Sequence, residues 1–157
     1  MPLATLAKVL SQANARNAAC LGFVCQGWED SRAYVAAGET AGAPVILSAG
    51  PGARANMPVH LWGEMFRELA KSASVPVVAH LDHGRTVEEC IAAIDAGFSS
   101  VMIDGSALPL AENIALTNAV SAGPPRPARP AARRGPFAAC RCSSPTAPAP
   151  LPASATP

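Results

Sequence analysis

The segment Val75-Pro76-Val77-Val78-Ala79-His80-Leu81 constrains the fold more than any other part of the chain. Its apolar character is nearly unbroken, as expected of a strand buried on both faces of a parallel sheet. Parallel strands need long crossovers, normally helices, so the flanking sequence should alternate between strand and helix. It does. Ala19–Cys25 reads as a buried strand, and Pro44-Val45-Ile46-Leu47 and Ser100-Val101-Met102-Ile103 read as short apolar strands.

Helical patterns fill the intervals. Leu3, Leu6 and Leu10 share one face of an opening helix, and Asp30 is placed to cap a helix to about Ala41, with Tyr34 and Gly38 one turn apart. Gly50-Pro51-Gly52 reads as a loop. Pro58 suits a first helical turn, and Trp62, Met65, Phe66 and Leu69 follow with the spacing of a core-facing stripe. Thr86-Val87-Glu88-Glu89 has the form of a capping box, Val87, Cys90, Ile91 and Ile94 make an apolar face, and Gly97 supplies a left-handed helix end. A last helix is expected from about Leu110 to Val120. The expected class is therefore α/β, with about four strand–helix units at spacings of roughly 25–30 residues. Such a set is either a small open sheet or half of a closed eight-fold barrel.

The units stop at a compositional break. Residues 1–121 are mixed in character, whereas 122–157 hold 10 of the 16 prolines and no Asp or Glu. A Pro-, Ala- and Arg-rich segment of this kind buries too little apolar surface to offset its ordering entropy, so it is expected to be disordered. It reads as an out-of-frame or foreign terminus. The competing reading is a basic tail, with Arg126, Arg129, Arg133, Arg134 and Arg141 facing a partner or nucleic acid.

A net charge of +1 gives the whole molecule no electrostatic bias towards nucleic acid or an acidic membrane surface. No apolar run approaches the roughly 20 residues of a membrane span, and the N-terminus lacks the pattern of a signal peptide. Cys20, Cys25 and Cys90 read as buried free thiols, which suits a reducing cytoplasm, while Cys140 and Cys142 form a C-x-C with no second ligand pair.

In parallel α/β folds, chemistry sits at the C-terminal ends of strands. Two polar clusters fall there: His80-Leu81-Asp82-His83 and Asp104-Gly105-Ser106. His83 can present an imidazole to a divalent metal, Asp82 has the length to exchange a proton with a metal-bound substrate, and Asp104 is within reach of the same site. The alternatives are a hydrogen-bonded structural Asp–His pair and an Asp-Gly turn in which Asp104 bonds backbone groups.

Three blocks add a resemblance: Val75 to Gly84, Ala96 to Ser106, and Glu112-Asn113-Ile114. In order and spacing they resemble the class II fructose-bisphosphate (ketose-bisphosphate) aldolases, over about Leu3 to Val120. The resemblance implies a (β/α)8 TIM barrel of which about the first four βα units are present. It also implies zinc-dependent aldol cleavage of a ketose phosphate in a family that is usually homo-oligomeric. By position, His83 would be one of three histidine ligands of zinc, Asp82 the proton-transferring acid, and Asp104 a residue near a second cation. His80 would support the site from behind, and Ser106 would lie near substrate.

Departures accompany it. Phe23-Val24-Cys25-Gln26-Gly27-Trp28-Glu29 lacks the two asparagines of the family pattern, Gly50 stands for a phosphate-contacting serine, and Ala107 follows where His or Lys is common. These leave fructose 1,6-bisphosphate as one candidate among ketose phosphates. No histidine follows His83, so the other zinc ligands are absent and the chain is expected to be a truncated, inactive half-barrel. The alternatives are a non-catalytic half-barrel interaction module and a small α/β binding domain. An unpaired edge is expected beyond Met102-Ile103.

Overall fold

The apolar run folds as the central strand of a parallel sheet. The computed structural model describes residues 3–123 and, for their backbone, 138–141. Helix α1 (Leu6–Ala15) precedes β1 (Gly22–Val24), α2 (Trp28–Ala41), β2 (Val45–Ala49), α3 (Pro51–Asn56), α4 (Val59–Ser72), β3 (Val77–Gly84), α5 (Val87–Asp95), β4 (Ser100–Ile103) and α6 (Leu110–Ala122), with a last strand β5 (Ala138–Arg141). All neighbouring strands are parallel, and their order in the sheet is their order in the chain.

Alternation along the strands divides the apolar residues between two faces. Val45, Leu47, Ala49, Val77, Ala79, Leu81, Val101 and Ile103 pack under α2, α4 and α5 in the larger core. Trp62 and Phe66 of α4 are fully buried there, their rings tilted against each other at 5.4 Å between centroids. On the opposite face, Ile46 and Val78 meet Leu6 and Val9 of α1 in a smaller cluster. Above this floor the register sets Ser48, His80 and Ser100 side by side across β2, β3 and β4. A polar row thus overlies an apolar one, on the face that would line a closed barrel.

Several local expectations are revised. Gly50-Pro51-Gly52 opens α3 rather than a loop, because Pro51 occupies the first helical position where no N–H is needed. Helix α2 starts at Trp28, and Asp30 caps it from inside the first turn, its carboxylate accepting the N–H groups of Gln26 (2.6 Å) and Gly27 (2.9 Å). β1 is an exposed edge, with Leu21 and Val24 outward, since nothing pairs with its outer side among the described residues. Cys20 is half-buried, whereas Cys25 and Cys90 are buried, and burial pushes both of their thiols up to about 11. Helix α6 runs two residues past Val120. β5 pairs with β4, so the edge expected to be open carries a strand drawn from the Pro-rich segment. Ala122 and Gly123 close α6, and the rest of that segment, 124–137 and 142–157 with Cys142, lies outside the described residues.

Candidate active site

Asp82 and His83 stand inside β3, at the point where its pairing with β4 slips. Leu81 pairs with Val101 and Gly84 with Ile103, so β3 spends one extra residue between two rungs of the ladder. This is a β-bulge, a device that re-aims side chains near sites. His83 takes the strain, with φ +50. Gly84 permits the return to the ladder: a methyl there would sit 2.6 Å from Cys90 Sγ and 3.0 Å from the Met102 carbonyl oxygen.

The bulge directs His83 across to the end of β4. Its Nδ1 lies 2.7 Å from Asp104 Oδ2. Asp104 Oδ1 meanwhile accepts the hydroxyl of Ser106 at 2.6 Å and its backbone N–H at 3.0 Å. The Ser106 hydroxyl, then His83 and the Ser106 N–H, hold the Asp104 carboxyl down at about 2. An ionised carboxylate only accepts hydrogen bonds, so His83 Nδ1 must carry the proton of that bond. In the neutral ring Nε2 is then the bare nitrogen, and it lies 3.9 Å from Asp82 Oδ1. Asp104 thus takes its turn-forming role and holds the imidazole as well, with both of its oxygens engaged.

His80 belongs to the polar row below. It is buried, its Nδ1 is 2.9 Å from Ser100 Oγ, and burial lowers its pKa from 6.5 against the opposing pull of Asp82. It bridges β3 to β4 on the face it shares with Ser48 and Ser100. Gly50 at the end of β2 faces the same place: a side chain begun there would come within 3.8 Å of Asp82 Oδ2. Gly105 packs against Asn113 of α6, where a methyl would lie 2.7 Å from Asn113 Oδ1. Asp82, His83, Asp104 and Ser106 are therefore gathered at one rim, with His80 beneath them.

Two residues escaped the sequence reading. Arg54 of α3 extends to this rim with its side chain only 4% exposed, donating to the Ala49, Asp82 and His83 carbonyls and pairing with Glu89 at 2.8 Å. Glu89, expected only as half of a capping box, sends its other oxygen to the Arg85 N–H at 2.7 Å, one residue before the Thr86 cap. Nothing in the local sequence signals this; the pair is 35 residues apart.

A metal would find part of its ligand set. A histidine whose one nitrogen donates to a carboxylate, with the other bare, has the orientation common to metal-ligating imidazoles. Among the described residues no three His, Cys, Asp or Glu side chains group to hold an ion. His83 fits as a single ligand.

Parallel strands in chain order alternating with helices, with polar residues gathered at the strand ends, have the arrangement of part of a (β/α)8 barrel. Residues 4–123 match the family model described as fructose-bisphosphate aldolase class-II, and the chain belongs to that family. It is 40% identical over 129 residues to a 6-phospho-5-dehydro-2-deoxy-D-gluconate aldolase of Bacillus licheniformis, covering 76% of this chain and 42% of the relative. It is 37% identical over 125 residues to a fructose-bisphosphate aldolase of Staphylococcus aureus, covering 76% of this chain and 43% of that one. The crystal structure of the YdjI aldolase from Escherichia coli K12 superposes with a TM-score of 0.72 at 33% identity, over 76% of this chain and 47% of that one. The chain spans less than half the length of these relatives. Its fold is accordingly that of half a TIM barrel.

Proposed function

We propose that this chain carries the proton-transfer half of a zinc-dependent aldolase site acting on a ketose phosphate. The observation that supports it is the His83 imidazole, its Nδ1 pinned by the Asp104 carboxylate and its Nε2 turned towards Asp82. In this reading His83 is one zinc ligand, and zinc, when bound, supplies a Lewis acid for the substrate's carbonyl and hydroxyl oxygens. Asp82 is the residue that works on the proton. In cleavage its carboxylate accepts the hydroxyl proton as the carbon–carbon bond breaks, and in condensation it returns it. His80, neutral and anchored on Ser100, keeps β3 in place behind it. The relatives named for a fructose bisphosphate and for a phosphorylated deoxygluconate support a sugar phosphate as substrate, without choosing between them.

With one histidine ligand, zinc binding by the chain alone should be weak, and aldol cleavage absent. Calorimetric zinc titration tests this: the weak binding should vanish in His83→Ala. Cleavage should appear when the C-terminal half of a class II aldolase is supplied in trans, and should fall by about 10²–10⁴-fold in Asp82→Asn. Zinc binding untouched by His83→Ala would overturn the assignment.

A further inference from the structure

We propose that Arg54 is the positioning residue that locks His83 into its left-handed turn and so aims the imidazole. The inference rests on the aldolase reading only for what the aimed imidazole is used to do. β2 ends its pairing with β3 at Ala49 and Leu81, and the bulge takes Asp82 and His83 out of register with β4. The carbonyls of Ala49, Asp82 and His83 therefore stand where the regular ladder ends or is interrupted. Arg54 collects all three: Nη1 donates to the Ala49 oxygen and, at 2.6 Å, to the Asp82 oxygen, and Nη2 donates to the His83 oxygen at 3.1 Å.

The geometry of those acceptors gives the contact its consequence. The Asp82 carbonyl belongs to the peptide plane entering the His83 Cα, and the His83 carbonyl to the plane leaving it. The angles between these planes are φ and ψ of His83. A guanidinium is a flat fork with fixed donor directions, so bonding both oxygens fixes both planes at once. That is how a β-substituted residue stays at φ +50, a region its side chain disfavours. Glu89 completes the device by taking the Arg54 Nε–H at 2.8 Å and neutralising a charge held at 4% exposure. The clamp thereby ties α3, β2, β3 and α5 together behind the bulge. Lysine could keep the charge but not the fork.

The test separates aim from stability. In the ¹³C,¹⁵N-labelled chain, the one-bond Cα–Hα coupling of His83 distinguishes left-handed from right-handed φ. Arg54→Met keeps the packed stem and removes the fork. It should shift that coupling to the right-handed range while the amide spectra of β2 and β4 persist, and lower the zinc affinity of the chain roughly 10–100-fold. Arg54→Lys, which retains the partner for Glu89, should give an intermediate coupling. Should Arg54→Met fail to fold, Glu89→Gln and Arg54→Lys report the same coupling, expected to move in both. A His83 coupling unchanged in every folded variant would overturn the clamp. Absence of zinc binding by the unaltered chain would instead overturn the aldolase reading, with the coupling still deciding the role of Arg54.

Discussion

His83 and Gly84 divide the work of one backbone irregularity: the histidine adopts the left-handed turn, and the glycine fits where a side chain has no room. Gly84→Ala should therefore destabilise by about 1–3 kcal/mol, the usual range for overpacking, seen as a lower urea midpoint at unchanged slope. His80 carries a pH dependence of known sign. Burial lowers its pKa in the fold below the ordinary 6.5, so the unfolded chain takes up its proton first as the pH falls. Its contribution to stability is complete above about 6.5 and is lost on acidification below that value. His80→Asn should flatten the decline of unfolding free energy between about pH 7 and 5 relative to the unaltered chain, as measured by denaturant titration at each pH. The identities of Asp82, His83 and Asp104 as polar residues at strand ends were legible in the sequence. The bulge was not, because it is a register slip between two strands, and register between distant strands leaves no mark in either one. Arg54 was hidden for a related reason: an arginine after Gly-Pro-Gly-Ala looks like a solvated loop residue until α3 delivers it to carbonyls on two strands.

Among the elements, α5 was the best defined in the sequence, while α4 carries the two largest fully buried side chains, Trp62 and Phe66. Its stripe of Trp62, Phe66 and Leu69 is buried as the spacing required, with Met65 half-buried beside it. Phe66 carries the packing onward to Phe98 at 5.8 Å, beyond the end of α5. Trp62→Ala should cost about 3–5 kcal/mol, a large part of the roughly 5–15 kcal/mol that holds a domain together. Thermal unfolding by circular dichroism should show a broad loss of cooperative structure rather than a small shift in midpoint. Helix α3 was missed because six residues beginning Pro-Gly give periodicity too few turns to register. The strand assignments survived because continuous apolar runs bounded by Gly and Ser are short and self-limiting. β1 kept its position but not its burial, which depends on a neighbour no local pattern specifies.

At the scale of the whole molecule, that edge bears on association between chains. Among the described residues, β1 presents one unpaired edge, flanked by Leu21 at 66% and Val24 at 51% exposure. Such an edge is a template for pairing with another chain, and a lysine on it is the usual deterrent. Val24→Lys should reduce concentration-dependent self-association in size-exclusion chromatography with light scattering, leaving the far-ultraviolet spectrum unchanged. The strand–helix units were readable from the alternation of runs and stripes, which fits an open sheet as well as a half-barrel, and only the resemblance to the aldolases pointed to the half-barrel. β5 was not readable, because four residues in a Pro-rich segment carry no strand signature. The sequential order of the strands has one more implication. No strand has to slide between two already in place, so each βα unit can be laid against the one before it, as courses are laid on a wall. A chain leaving the ribosome could build this sheet by accretion, with the polar rim rising one strand end at a time.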